Sequence, residues 1–295
     1  TPLRSLECDI PVIDEQLAKL SQVLSTKSLH WEVVPGSQSE SNVALRLKSP
    51  DGQWEVTKTF HLQEIPEKNP KDQGPAYDLQ FEIQVKNLSD KTAKAGYVLT
   101  GPVGLPLENH EYTREFRIIS VGFDQGDGKV IAKSTAAREI ISSAKSEKPE
   151  VWEEPIRYVG VNVQYFAALL LPQEDQRKVP YLKSIRPILV AENVAKPEKS
   201  DLSVLLTSKD LELAPAGKEG ASVTHKYLLF AGPKREEFLR PIDAQHIIIY
   251  GMAGNLGISP VGSLLLRILA AGPCDSDKLR ELAALDTVSF AKEIG

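Results

Sequence analysis

The sequence predicts an all-β fold, a large sandwich of antiparallel sheets with short helices at the C-terminus. Three observations carry this. "YDLQFEIQVKNLSD" alternates without a break, setting Tyr77, Leu79, Phe81, Ile83 and Val85 on one face and Asp78, Gln80, Glu82, Gln84 and Lys86 on the other. A strand with one dry and one wet face belongs to an antiparallel sheet packed on one side. "NVALRLKSPDGQWEVTKTFHL" reads as a hairpin, with Asp51-Gly52 in the turn because glycine tolerates positive φ. Further strand-like segments follow, joined by turn-rich loops with few helices between them. The chain has 295 residues, enough for one large all-β domain or two ordinary ones.

The elements follow in order. "PVIDEQLAKLSQVL" places Ile13, Leu17, Leu20 and Leu24 at helical spacing, so a short amphipathic helix opens the chain. In the hairpin, Val43, Leu45 and Leu47 alternate with polar residues, and Trp54, Val56 and Phe60 line the return strand. "EIPEKNPKDQGP" is a proline- and lysine-rich loop. Further strands are expected over residues 96–100, 117–123, 129–133, 155–171, 181–193, 202–207 and 222–230. "DQGDGK" (Asp124 to Lys129) is a hairpin turn; its acidic residues do not follow the spacing of an EF-hand loop. "YVGVNVQYFAALLLP" (Tyr158 to Pro172) is almost wholly uncharged and flanked by charged turns, and reads as a buried strand across the sandwich.

The C-terminus turns helical again. "SPVGSLLLRIL" (Ser259 to Leu269) begins with Ser and Pro, which suit an N-cap and a first helical position. Val261, Leu264, Leu265 and Ile268 form an apolar stripe that Leu266 and Leu269 widen, with Arg267 beside it. "SDKLRELAALDTVSFAKEIG" is a second helix candidate. The uncharged run Ala244 to Leu266 has the length of a membrane span, but Gly251, Gly254, Asn255, Gly257, Pro260 and Gly262 interrupt it. It reads instead as strand, loop and helix. The expected organisation is a lead-in over residues 1–28, a sandwich over 29–258 and a helical segment over 259–295.

Composition narrows the function. At 41 % hydrophobic and 25 % charged the chain suits a folded soluble domain. Its net charge of −5 gives no basic face for nucleic acid. Cys8 and Cys274 allow one disulfide without arguing for it, and no CxxC is present. The opening "TPLRSLECDIPVIDEQ" lacks the apolar core of a signal peptide.

No catalytic, cofactor-binding or metal-ligating residue emerges. His30, His61, His110, His225 and His246 form no HExxH or similar pair. His61, His225 and His246 fall in predicted strands, where a surface or satisfied core histidine is the ordinary case. There is no nucleophile elbow, phosphate loop or dinucleotide turn. His110 in a polar loop with Glu108 and Glu111 is the one acid/base candidate. Tyr158, Tyr165, Phe166, Trp31, Trp54 and Trp152 either line a sugar cleft or fill the core; burial favours the core.

Several stretches share one resemblance. "VGVNVQYFAALLLP" is similar to a strand in the large periplasmic domain of YidC-type membrane protein insertases, where Gln precedes Tyr-Phe and small residues and Pro closes the stretch. "KYLLFAGPKREEFL" (Lys226 to Leu239) looks like the family's strand running into Gly-Pro and a short helix. "IIIYGMAGNLGISPVGSLLLRIL" resembles its Tyr-Gly element and the helix leading to the membrane. "GQWEVTKTFHL" and "YDLQFEIQVKN" fit its earlier hairpin, so the likeness spans Val43 to Leu269 in family order.

The resemblance implies a β-supersandwich of mutarotase-like architecture, on the periplasmic side of the bacterial cytoplasmic (inner) membrane. It would belong to a multi-spanning protein that inserts and folds membrane proteins, alone or with the Sec translocon. The implied role is that of an accessory, chaperone-like domain, not an enzyme, without cofactors. Implied partners are Sec translocon components, nascent membrane proteins and the membrane surface. The sequence departs from the family after the amphipathic helix, where "AAGPCDSDKLRELAALDTVSFAKEIG" is charged and no transmembrane segment follows. Insertion itself is therefore not expected of this stretch. The contact expected of it is Val261, Leu264, Leu265, Arg267 and Ile268 against the membrane interface or a partner. The competing reading packs the same residues on the sandwich. The alternative function is a sugar-binding or aldose-epimerase-type sandwich using His110 with Glu108 or Glu111.

Overall fold

Alternating strands and tight turns give a computed structural model that describes residues 4–20, 25–26, 29–62, 77–107, 117–146 and 149–248. The chain divides into two compact units, Thr1–Ile248 and Ile249–Gly295, and every described residue lies in the first. The first half runs β1 (Cys8–Asp9), α1 (Pro11–Leu20), β2 (Glu32–Val33), β3 (Asn42–Lys48), β4 (Trp54–Leu62), β5 (Asp78–Asn87), β6 (Ala93–Ala95) and β7 (Val98–Thr100). Next come β8 (Ile118–Gly126), β9 (Lys129–Ala136), α2 (Ala137–Ala144), β10 (Ile156–Asn162), β11 (Phe166–Pro172) and β12 (Leu182–Ala191). The described part closes with β13 (Asp201–Ser208), β14 (Leu211–Leu213), β15 (Ser222–Pro233), α3 (Glu236–Leu239) and two 3-10 turns at Arg240–Ile242 and Gln245–Ile247.

Among the described residues every strand pairing is antiparallel. A nine-stranded sheet runs β2-β3-β4-β5-β15-β11-β10-β8-β9, and a four-stranded sheet runs β1-β7-β13-β12. β14 and β6 form a separate pair. The expected sandwich is therefore present. Phe81, Ile83, Val85, Val121, Val159 and Tyr227 from the large sheet and Leu99, Val204 and Leu206 from the small one share a single buried core. α1 adds Ile13 and Leu17 to it. The β3–β4 hairpin closes at Asp51-Gly52, where Gly52 has φ +70° and Ser49 N donates to Trp54 O at 3.0 Å.

The second face of the large sheet changes character along its width. Over β5 it carries Gln80, Glu82 and Gln84, with Lys226 of β15 paired to Glu82 at 3.3 Å. Over β10, β11 and the end of β15 it is apolar and covered by the chain itself. Leu239, Ala244 and Ile247 pack there on Tyr158, Ala167, Leu169, Leu171 and Phe230. β10 and β11 are thus dry on both faces.

That two-sided burial corrects the reading of 155–171 as one strand. It is a hairpin: β10 and β11 pair with Val159 opposite Leu170 and Val161 opposite Ala168, and Val163 N donates to Phe166 O at 2.9 Å. Strands buried on both faces read as continuous apolar runs, and this apex holds no Gly or Pro to mark a turn. The strand expected over 96–100 starts only at Val98 (β7), because Gly96 and the buried Tyr97 link β6 to β7, which join different sheets. Tyr77 leaves the Leu79 face and packs on Phe238 and Phe230, with ring centroids 5.0 and 6.3 Å away. His246 sits in a 3-10 turn rather than a strand, and is exposed. The expected helix Ser259–Leu269 lies outside the described residues. Among those described, no helix is long and apolar enough to cross a membrane.

Candidate functional site

The main polar cluster in the inter-sheet core is built from both sheets. Tyr97 comes from the segment just before β7, Tyr181 from just before β12, and His225 and Tyr227 from alternate positions of β15. The Tyr97 hydroxyl lies 2.7 Å from His225 Nδ1 and 2.8 Å from the Tyr227 hydroxyl. The Tyr181 ring stacks on the His225 ring at 3.9 Å and 16°. Its hydroxyl donates to Lys226 O at 3.2 Å.

Burial lowers the His225 pKa to about 4. It also drives Tyr97, Tyr181 and Tyr227 well above the ordinary phenol range. The histidine is therefore neutral at pH 7. One tautomer has Nδ1 accepting from Tyr97 O–H, which in turn accepts from Tyr227 O–H; the other reverses both bonds at the same distances. General acid–base chemistry needs a histidine within reach of a substrate proton. His225 is 6 % exposed and its ring faces phenols. What the geometry provides is a hydrogen-bonded tie between the two sheets.

Lys58 is a further buried ionisable group. Its ammonium donates to Leu6 O at 3.0 Å and stands 4.2 Å above the Trp31 ring. Burial lowers its pKa. Two open cavities flank the start of β12. One of about 360 Å³ lies between Pro11, Glu15, Lys94, Lys183 and Asp210. The other, about 200 Å³, lies beside Trp152 with Glu153, Glu154, Lys183 and Lys209. Charges of both signs line each one. Among the described residues no three of His, Cys, Asp and Glu gather to hold an ion.

The aromatics divide as burial demands. Trp54 and Trp152 are each 4 % exposed, and Tyr158 is fully buried. Tyr165 and Phe166 stand at the apex of the β10–β11 hairpin, 48 % and 45 % exposed. Sequence reasoning placed both inside a strand and so missed their position. The apex is held from beneath. Buried Lys234 donates through Nζ to Val163 O at 2.8 Å and to Asn162 Oδ1 at 3.2 Å, while its main-chain N–H donates to Tyr165 O at 2.7 Å. Asn162 Nδ2 continues the network to Ser120 Oγ at 2.7 Å. The Gly-Pro-Lys sequence at the end of β15 was the available signal, read only for its resemblance.

The remaining sequence candidates lie elsewhere. Val261, Leu264, Leu265, Arg267 and Ile268 are outside the described residues, as are Cys274 and the His110, Glu108 and Glu111 loop. His30 is exposed and His61 half-buried on β4.

Among solved structures, the galactose mutarotase related enzyme from Lactobacillus acidophilus is similar at 12 % identity, over 70 % of this chain and 72 % of that chain, with a TM-score of 0.43. A putative aldose 1-epimerase from Escherichia coli K12 is similar at 13 % identity, over 70 % and 69 %, with a TM-score of 0.38. No curated protein sequence matches. The family model for the YidC periplasmic domain matches residues 16–256, and the chain belongs to that family.

Proposed function

We propose that this periplasmic domain is an accessory part of a membrane protein insertase. It supports insertion and folding of membrane proteins by contacting the translocon or the emerging client, and makes or breaks no bonds of its own. The observation that carries this is family membership across residues 16–256. The environment of His225 agrees, since its ring is engaged by tyrosines instead of a carboxylate. In this reading the domain sits at the periplasmic surface of the inner membrane within a multi-spanning protein. The stripe of Val261, Leu264, Leu265 and Ile268, with Arg267, touches the membrane interface or a partner.

The test is photo-crosslinking in the full-length protein in membranes, with the probe placed at Phe166 and, separately, at Leu264. Adducts with Sec translocon subunits or nascent membrane proteins are expected. If neither position yields such a partner during active insertion, the accessory reading fails.

A further inference from the structure

We propose that the outer edge of β9 is a docking site for an extended segment of another polypeptide, which joins the large sheet as an additional strand. Two sheets have four end strands: β2 and β9 in the large sheet, β1 and β12 in the small one. An end strand exposes unpaired main-chain groups, and proteins usually shorten, cover or interrupt it. β1 and β2 are two residues each. β12 carries Pro187, which has no N–H, and Trp152 bridges Ile185 through two main-chain hydrogen bonds of 2.8 Å. Among the described residues β9 has none of these devices. It is eight residues long and contains no proline, and among the described residues no strand pairs with its outer side.

The register shows which groups it offers. Asp124 N donates to Pro155 O, so the even-numbered residues of β8 turn their main chains toward β10. Ile119, Val121 and Phe123 therefore turn toward β9, where they face Thr135, Lys133 and Ile131. The intervening Ala132 and Ser134 must point N–H and C=O outward. Both residues are exposed, and Ile131 beside them is 58 % exposed. A row of donors and acceptors repeating every two residues, about 7 Å, is matched by an extended main chain.

The side chains select the occupant. Lys129, Ile131 and Lys133 share one face of the strand. Pairing two copies edge to edge would gather the lysines of both on that face, and like charges oppose such pairing. Lys133 is already bonded to Glu150, which leaves Lys129 as the complement for an acidic residue and Ile131 for an aliphatic one. An acidic and aliphatic extended segment fits. Translocated loops of membrane proteins are poor in Lys and Arg. They are the natural client class, an identity that rests on the accessory-domain reading.

The experiment uses the whole chain and two synthetic seven-residue peptides, one alternating Glu and Val, the other Lys and Val. Hydrogen exchange is followed at Ala132 and Ser134. Both amides should exchange fast in the unliganded protein and slow by about tenfold or more with the Glu peptide, while the Lys peptide binds at least about tenfold more weakly. Ala132→Pro removes an outward N–H at a position an edge strand tolerates, and should weaken Glu-peptide binding by about tenfold or more. Circular dichroism checks that this variant folds. The proposal is overturned if the amides are already slow without peptide, if both peptides protect equally, or if Ala132→Pro binds as well as the parent. A dimer that Ala132→Pro dissolves would assign the edge to a second copy instead. None of these failures touches the crosslinking result, so the two readings fall separately.

Discussion

The ring of Tyr158 fills the space that a side chain at Gly122 would need. A Cβ placed on Gly122 would sit 2.3 Å from Tyr158 Cε1 and 2.8 Å from Cδ1 and Cζ. The two residues are cross-strand partners on β8 and β10, and Tyr158 is fully buried. Tyr158 lies in the second core, under Ile247 and Leu239. Neither the sheet below nor the covering turns leave it room to retreat. Gly122→Ala should therefore destabilise the domain by about 1–3 kcal/mol, the usual range for an overpacked core. Urea unfolding measures it. Adding Tyr158→Leu should shrink the penalty of the alanine, because the clashing ring is gone; equal penalties in both backgrounds would refute the contact as its cause.

Lys234 gives the second prediction. A lysine at 1 % exposure spends its ammonium on Val163 O and Asn162 Oδ1, directly beneath the apex. Lys234→Met keeps the stem and removes the donor. Two buried acceptors then lose a charged partner, at a cost of about 1–3 kcal/mol. The loss should be local as well as global. Amide exchange over Val163–Phe166 should accelerate more than exchange in β5, where the ladder is untouched. Uniform acceleration across both would mean that Lys234 serves general stability and not the apex.

A third prediction concerns the apex itself. Tyr165 and Phe166 keep only about half of their surface exposed, so replacing both with Ser gives up the covered half of each ring and should cost about 1–3 kcal/mol, which urea unfolding measures, without unfolding the domain. If the apex contacts clients or translocon, the same double variant should lose crosslinks from neighbouring positions and slow insertion in vivo. Wild-type insertion with crosslinks intact would remove the apex from the functional surface.

These residues also show how far the sequence could be read. β5 was legible because one face is dry and the other wet, and the period of two survives in the letters. The β3–β4 and β8–β9 hairpins were legible because Asp51-Gly52 and Asp127-Gly128 announce their turns, and Asp127 and Gly128 both adopt positive φ. The β10–β11 hairpin was not. Its strands are covered on one face by the small sheet's core and on the other by Leu239 and Ile247, so no alternation remained to break at the turn. The Tyr97–His225–Tyr227 cluster was hidden for another reason. Its members are 128 and 130 residues apart for the two hydrogen bonds. Only the register of β15 against β5, together with the facing sheet, brings them into reach.

The same cluster sets the last prediction, a pH dependence of stability. His225 has a folded pKa lowered to about 4 by burial, against an ordinary value of 6.5. Between those values the unfolded chain binds a proton that the folded protein refuses. Stability therefore falls as pH drops, because stability rises with pH wherever the unfolded state binds more protons. The contribution is fully present above pH 6.5 and is lost as pH falls toward about 4. Its upper bound is roughly 3 kcal/mol, since each tenfold loss of proton affinity on folding is worth about 1.4 kcal/mol. Below that range the imidazolium must form beside the Tyr97 hydroxyl, which can then no longer donate to Nδ1. Urea midpoints between pH 7.5 and 4.5 should fall in the parent protein. His225→Phe should be less stable at pH 7.5, since the Tyr97 hydroxyl loses its hydrogen-bond partner in a dry site. Its midpoint should fall much less over the same interval. Parallel slopes in the two proteins would show that the carboxylates, and not His225, govern the acid response.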